Sequence, residues 1–184
     1  MNALSDNTIM LRVKAGDLER MGLLFERHYR SLYGFLFHMT YHREASEDMV
    51  QTVFYKMLRY RNTFTGDGEF MAWMYQIARN VLKDEVKKKG KVQGAHYDVA
   101  EMADRLPGGA SADEHLEKKQ ANAGLYTAMK KLSDDNREIL TLSRFQELKY
   151  QEIGQILGIT EGAAKVRAFR AMQELKDIYT RMEA

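Results

Sequence analysis

The sequence predicts an all-α protein made of two small helical domains joined by a flexible linker. The 184 residues include a single proline, and apolar residues recur at helical spacing through most of the chain. This periodicity is lost from about residue 92, where glycines and scattered polar residues replace it. We therefore expect an N-terminal domain at residues 1–91, a linker at 92–118 and a C-terminal domain at 119–184.

The composition excludes several kinds of chemistry. The chain has no cysteine, so disulfides, thiolate metal sites and thiol nucleophiles are impossible, which agrees with a reducing compartment. No stretch approaches the roughly 20 apolar residues of a membrane-spanning helix, and no cationic leader precedes an apolar run. We expect a cytoplasmic protein without membrane insertion. The net charge of +2 is too small to indicate a nucleic-acid partner by itself.

The N-terminal domain is predicted to contain three or four helices, with a break at residues 62–69, where Gly66 and Gly68 lie. The helix near residues 44–61 has an apolar stripe of core spacing, made of Val50, Val53, Phe54, Met57 and Leu58. Its opposite side carries Asp48, Gln51, Thr52, Tyr55 and Arg59. On periodicity alone such a polar side is more often a solvated face than an interface.

Residues 70–80 combine aromatic side chains with a helix end that is rich in lysine. Aromatic rings can stack on exposed bases while lysines follow the phosphates, so the segment is suited to single-stranded nucleic acid. However, the spacing of Phe70, Trp73, Met74 and Ile77 also predicts a core face, which would bury most of the aromatic surface.

The C-terminal domain is predicted to contain a helix-turn-helix. Ser133 or Asp134 caps a supporting helix that carries Ile139, Leu140 and Leu142. A helix at 149–157 follows, then Gly158 at a turn that needs a positive φ, and Thr160 as the cap of a last helix.

The last helix has an apolar face of mostly small residues and a basic outer side. Its predicted core residues are Ala164, Ala168, Ala171, Met172 and Leu175. Lys165, Arg167 and Arg170 fall outside the centre of that face, as expected of a helix that enters a DNA major groove. The spacing alone is equally compatible with DNA binding and with a solvated helix pair.

Three segments resemble one family, the extracytoplasmic-function sigma factors of bacterial RNA polymerase. Residues 150–167, YQEIGQILGITEGAAKVR, resemble sigma region 4; residues 47–54, EDMVQTVF, resemble region 2.2; and residues 70–80, FMAWMYQIARN, resemble regions 2.3 and 2.4. The resemblance implies a transcription initiation factor that binds core RNA polymerase and directs it to promoters through minus-10 and minus-35 elements. It implies no catalysis and no cofactor.

The resemblance also implies roles for particular residues. The coiled coil of the largest polymerase subunit would bind Asp48, Gln51, Thr52 and Tyr55. Minus-10 DNA would contact Asn62, Phe64, Trp73, Asn80, Lys83, Asp84 and Lys87. Minus-35 DNA would contact Thr160, Glu161, Ala163, Lys165, Val166, Arg167 and Arg170.

The chain departs from the family at some of these positions and leaves one partner open. Val166 stands where a small polar residue is common, and Lys87 stands where the family commonly has Arg, whose bidentate contact Lys cannot reproduce. By resemblance the C-terminal domain also binds the polymerase flap, and the linker lies in the RNA exit path. Family members are often held inactive by an anti-sigma protein, which would be a further partner.

Two other functions compete with this interpretation. His38 and His42, with Glu44 nearby, could begin a metal site in an enzyme, but no third ligand follows at a telling spacing. Alternatively, the chain is an ordinary helix-turn-helix regulator that binds a palindrome as a symmetric dimer.

Overall fold

The computed structural model describes residues 4–89 and 123–183, and these residues form helices and turns with no strand. This confirms the predicted all-α class with two helical domains. The predicted linker at 92–118 lies outside the described residues, so the domain boundaries remain predictions.

Four helices form the N-terminal domain, in agreement with the predicted three or four. They are α1 (Asp6–Lys14), α2 (Met21–Thr40), α3 (Arg43–Arg59) and α4 (Phe70–Lys89), with short 3₁₀ turns at Leu18–Arg20 and Arg61–Thr63. Side chains cap two of them: Ser5 Oγ accepts from the Thr8 amide at 3.2 Å, and His42 Nδ1 accepts from the Ala45 amide at 3.1 Å.

The predicted apolar stripes largely face the core. On α3, Val50, Val53 and Met57 are fully buried and Phe54 nearly so, whereas Leu58 is half-buried. On α4, Phe70 and Met74 are buried but Trp73 and Ile77 are only half-buried.

The C-terminal domain contains helical residues at 123–131 (α5), followed by α6 (Asp134–Leu140), α7 (Tyr150–Leu157) and α8 (Glu161–Glu183). A single π-helical turn, Thr141–Phe145, continues α6. Of the two predicted caps, Ser133 is the one that caps α6, because its Oγ accepts from the Asn136 amide at 3.3 Å. The predicted apolar residues of this helix, Ile139, Leu140 and Leu142, are buried.

The two domains pack directly against each other, which the sequence did not predict. α4 lies against α7, and α2 lies against α6 and its π-helical turn. The Arg79 guanidinium contacts the Glu138 carboxylate at 2.7 and 3.2 Å, and it also donates to the Ile156 carbonyl at 3.2 Å. Because a second domain covers α4, Tyr75 is fully buried although it lies outside the predicted stripe, whereas Ala78, also fully buried, continues the stripe four residues after Met74.

Candidate polymerase and nucleic-acid interfaces

One exposed face of α3 carries the four predicted polymerase-binding residues together. Asp48, Gln51, Thr52 and Tyr55 are all exposed, and Tyr55 keeps 61% of its surface accessible. The reverse side of the same helix is the buried stripe, so the polar face has a rigid support. The face borders a cavity of about 360 Å³ between α3 and α4, whose lining includes Lys56 and Asp84.

The segment before α4 is held in place by α1, which sequence analysis missed. Asn7 donates to the Gly68 carbonyl at 3.1 Å and accepts from the Phe70 amide at 2.8 Å. The Lys14 ammonium donates to the Phe64 carbonyl at 2.6 Å. No local pattern could reveal these contacts, because they join residues 50 to 63 positions apart in the sequence.

The predicted minus-10 residues of this segment differ in accessibility. Asn62 is exposed, whereas Phe64 keeps only 3% of its surface, with its ring 5.2 Å from that of Trp73 and 6.3 Å from that of Phe70. Trp73 is half-buried, and its indole N–H donates to Thr63 Oγ1 at 3.4 Å. In this arrangement the Phe64 ring supports its neighbours and offers no surface to a base.

The outer side of α4 carries the remaining predicted minus-10 residues. Asn80, Lys83, Asp84 and Lys87 are all exposed. Asp84 accepts from the Lys56 ammonium at 3.1 Å, which ties α4 to α3. Lys83 and Lys87 face a different neighbour, since they line a cleft of about 360 Å³ with Asp134 and Asp135 of the C-terminal domain.

The helix-turn-helix has the predicted geometry. Gly158 ends α7 with a φ of +69°, and Thr160 caps α8 by accepting from the Ala163 amide at 3.1 Å. Gly154 lets the turn fold back closely, because a Cβ there would lie 2.7 Å from the Ile159 carbonyl oxygen. On α8, Ala164, Ala168, Ala171 and Leu175 are buried and Met172 is half-buried, which confirms the predicted core face.

The cations on the outer side of α8 are not equivalent. Lys165 pairs with Glu161 at 2.7 Å within the helix, and the half-buried Arg167 reaches back to Asp135 at 3.2 Å. Arg170 is exposed and has no ion pair among the described residues. The other predicted minus-35 residues, Thr160, Glu161, Ala163 and Val166, are all exposed. Among the described residues, the most exposed large apolar side chain is that of Phe169, at 65%, which sequence analysis missed.

The two histidines considered for a metal site have other surroundings. His42 caps α3, and the His38 ring is buried with its centroid 3.9 Å from that of Phe145. This burial lowers the pKa of His38 from 6.5 to about 4. Within residues 4–89 and 123–183, no three His, Asp or Glu side chains converge on a possible metal position.

A capped helix-turn-helix joined to an N-terminal helical domain is the architecture of a class of DNA-binding proteins, and comparison with known proteins identifies the family. The family model for sigma-70 region 2 matches residues 24–92, and the model for sigma-70 region 4 matches residues 123–175. The region 2 match contains residues 47–54 and 70–80, and the region 4 match contains residues 150–167.

Relatives cover nearly the whole chain. It is 29% identical over 176 residues to RNA polymerase sigma factor CarQ of Myxococcus xanthus, with 95% of this chain and 97% of the relative covered. It is 30% identical over 164 residues to ECF RNA polymerase sigma factor SigM of Bacillus subtilis, with 86% and 94% covered.

Among solved structures, CnrH in complex with the cytosolic domain of CnrY has a similar fold. The TM-score is 0.71 at 21% identity, with 96% of this chain and 97% of that chain covered. The chain belongs to the extracytoplasmic-function group of sigma-70 family RNA polymerase sigma factors. It is a transcription initiation factor whose partners are RNA polymerase and promoter DNA. No described helix combines the length and the apolar composition that crossing a bilayer requires.

Proposed function

We propose a division of labour among three surfaces of this sigma factor. The exposed face of α3 binds the coiled coil of the largest polymerase subunit, the 62–69 loop and α4 open the minus-10 element, and α8 binds the minus-35 element. The factor lends specificity to the polymerase, catalyses no reaction itself, and acts in the cytoplasm beside the polymerase and the DNA. The observation that carries this proposal is the outward position of α8, a capped helix with cations on its exposed side.

The α3 face supports the proposal of polymerase binding because its polar side chains are exposed on a helix whose opposite side is buried in the core. Replacing Asp48 and Gln51 together by Ala removes two side chains that are exposed and make no core contact. We expect weaker binding to core polymerase with an unchanged melting temperature. Glu26→Ala on the exposed part of α2 is the matched control. A lower melting temperature with normal polymerase binding would make the pair structural.

The minus-10 proposal rests on two features. Asn7 and Lys14 of α1 hold the 62–69 loop in place, and exposed lysines of α4 follow this loop in the chain. Extruding a base costs a few kcal/mol of unstacking, which phosphate contacts and a pocket must offset. In this proposal Asn62 and the rest of the 62–69 loop contact the extruded base, and Lys83 and Lys87 supply charge. Phe64 supports the loop from within the core, and a direct role in DNA binding would require it to leave that position.

The minus-35 proposal makes Arg170 the most direct test. Arg170→Ala removes an exposed cation without breaking an ion pair of the described structure, whereas Arg167→Ala also removes the contact with Asp135. We expect Arg170→Ala to weaken promoter binding by about 1–3 kcal/mol if the side chain reaches a base, with core binding intact. Lys176→Ala, an exposed cation six residues further along α8, is the control.

Promoter binding requires the two domains to separate. The elements are centred about 25 base pairs apart, or about 85 Å at roughly 3.4 Å per base pair. In the packed arrangement α4 touches α7, so the two domains cannot reach both elements at once. We infer that binding to polymerase, including the flap, stabilises a separated arrangement.

The first experiment is co-purification with core polymerase followed by run-off transcription on a promoter library, with core alone as the control. If the protein joins core and new start sites appear, the aligned start sites define both promoter elements. If it ignores core and binds duplex DNA as a dimer, the assigned surfaces are wrong.

A further inference from the structure

In the first turns of α8, the middle of the outer face carries an apolar side chain, that of Val166. The buried face of the helix is formed by Ala164, Ala168, Ala171 and Leu175. At about 100° per residue, Val166 lies roughly 170° round the helix from the middle of that face. Its side chain is 51% exposed, and the neighbouring Phe169 is 65% exposed. The helix therefore places an aliphatic side chain at the point most distant from its own core.

The surroundings of Val166 are shaped for close approach by an anionic partner. Val166 lines an open groove of about 520 Å³ with Gly162, Ala163, Arg167 and Arg170. Gly162 and Ala163 project little beyond the backbone, so a partner can come close to the first turns of the helix. Arg170, which has no ion pair among the described residues, gives this groove positive charge that complements a DNA duplex, whereas Arg167 is paired with Asp135.

Val166 differs chemically from the polar groups around it. It can neither donate nor accept a hydrogen bond, so it gains free energy only by contact with another apolar group. In the major groove, the apolar group presented by base pairs is the C5-methyl of thymine. Phe169 lies further towards one side of the exposed face, at roughly 130° from its buried centre.

We propose that Val166 is a specificity-determining residue that contacts the methyl group of a thymine in the minus-35 element. This inference rests on the proposed function, in which α8 enters the major groove at that element. It predicts that the polymerase with this sigma factor requires an A·T pair, in one orientation, opposite Val166. The requirement comes from the methyl group and not from a hydrogen bond.

Replacement of thymine by deoxyuridine tests the proposal, because it removes only the methyl group. After start-site mapping has defined the minus-35 element, each of its thymines is replaced singly, and binding of the reconstituted holoenzyme is measured. We expect one replacement to weaken binding about three- to five-fold, the factor that burial of one methyl group supports. In holoenzyme carrying Val166→Ser, the same replacement should change binding by less than about 1.5-fold.

Two controls separate this contact from general effects. Deoxyuridine placed in the spacer should leave binding unchanged. Leu18→Ala changes another exposed aliphatic residue, one that is 46% accessible in the Leu18–Arg20 turn and outside the proposed DNA and polymerase surfaces, and should keep the full sensitivity to uracil in the minus-35 element. Because Val166 is exposed, Val166→Ser is expected to fold, and its binding to core polymerase checks this in the same preparation.

The outcomes distinguish this inference from the proposed function. If no start sites appear, the proposed function fails. If promoters are used but uracil is neutral at every position, if Val166→Ser keeps the sensitivity, or if the element has no A·T pair, the thymine contact is wrong while the sigma assignment stands.

Discussion

The proposed minus-35 surface on α8 and the proposed minus-10 surface on α4 obtain their accessibility in different ways. The outer side of α8 is exposed because a local motif, the turn at Gly158 and the cap at Thr160, aims the helix outward. α4 instead shares its surface with the other domain, since Arg79 pairs with Glu138. One surface is available in the packed arrangement, and the other becomes fully available only when the domains separate.

The charges at the domain interface reinforce this difference. Asp134 and Asp135, at the start of α6, line the same cleft as Lys83 and Lys87. The acidic helix end therefore occupies part of the space that phosphates would take. Domain separation and minus-10 binding are expected to favour each other, because both replace these contacts.

The largest expected effect concerns the Arg79–Glu138 pair. Glu138→Ala leaves a largely buried guanidinium without its carboxylate and should destabilise the packed arrangement by about 2–4 kcal/mol. Because the chain has no cysteine, dyes attached through Glu26→Cys and Lys176→Cys can report the distance between domains. We expect a longer distance in Glu138→Ala.

Two further variants sharpen this test. The charge swap Arg79→Glu with Glu138→Arg should restore part of the packing. Arg20→Ala breaks an exposed pair with Asp17 and should change the distance little. An unchanged distance in Glu138→Ala would show that apolar contacts alone hold the domains together.

The next effect concerns the α8 side of the comparison. Gly154→Ala places a Cβ 2.7 Å from the Ile159 carbonyl oxygen, so the turn must shift. We expect the C-terminal domain to lose about 1–3 kcal/mol in chemical denaturation, with weaker minus-35 binding and unchanged core binding. Gly22→Ala on α2 meets open space and should stabilise its helix by up to about 1 kcal/mol. Equal stability of the two variants would refute the close approach.

The effect that is smallest near neutral pH is a pH dependence of the domain interface. His38 has a pKa of about 4 in the packed arrangement against 6.5 when hydrated, so the packed form favours the neutral ring. The free energy by which neutral His38 favours the packed arrangement is fully present above pH 6.5. It is lost as the pH falls from 6.5 towards 4, by at most about 1.4 kcal/mol per pH unit. The interdomain distance should therefore increase in this range.

His38→Leu provides the comparison for the pH prediction. The nearby Tyr41 and Tyr126 stay neutral throughout the range, because burial raises both pKa values further. We expect the variant to have a flatter pH dependence than the parent. Identical profiles would assign the dependence to other groups.

The sequence by itself determined the helices, the two domains and the helix-turn-helix. These features are local: Val50, Val53 and Met57 repeat at core spacing, Ser133 and Thr160 cap their helices through amides three residues away, and Gly158 adopts the φ that its turn requires. The exposed positions on α3 followed from the same periodicity, because the polar side of an amphipathic helix lies opposite its core.

Only the tertiary structure decided which of these surfaces are open. The burial of Phe64 and Tyr75, the pairing of Arg167 with Asp135, and the loop held by Asn7 and Lys14 depend on residues far apart in the chain. Helical periodicity indicates which side of a helix is apolar, but a helix packed on two sides has a second buried face that this pattern does not encode. The accessibility of α4 is therefore a property of how the two domains meet.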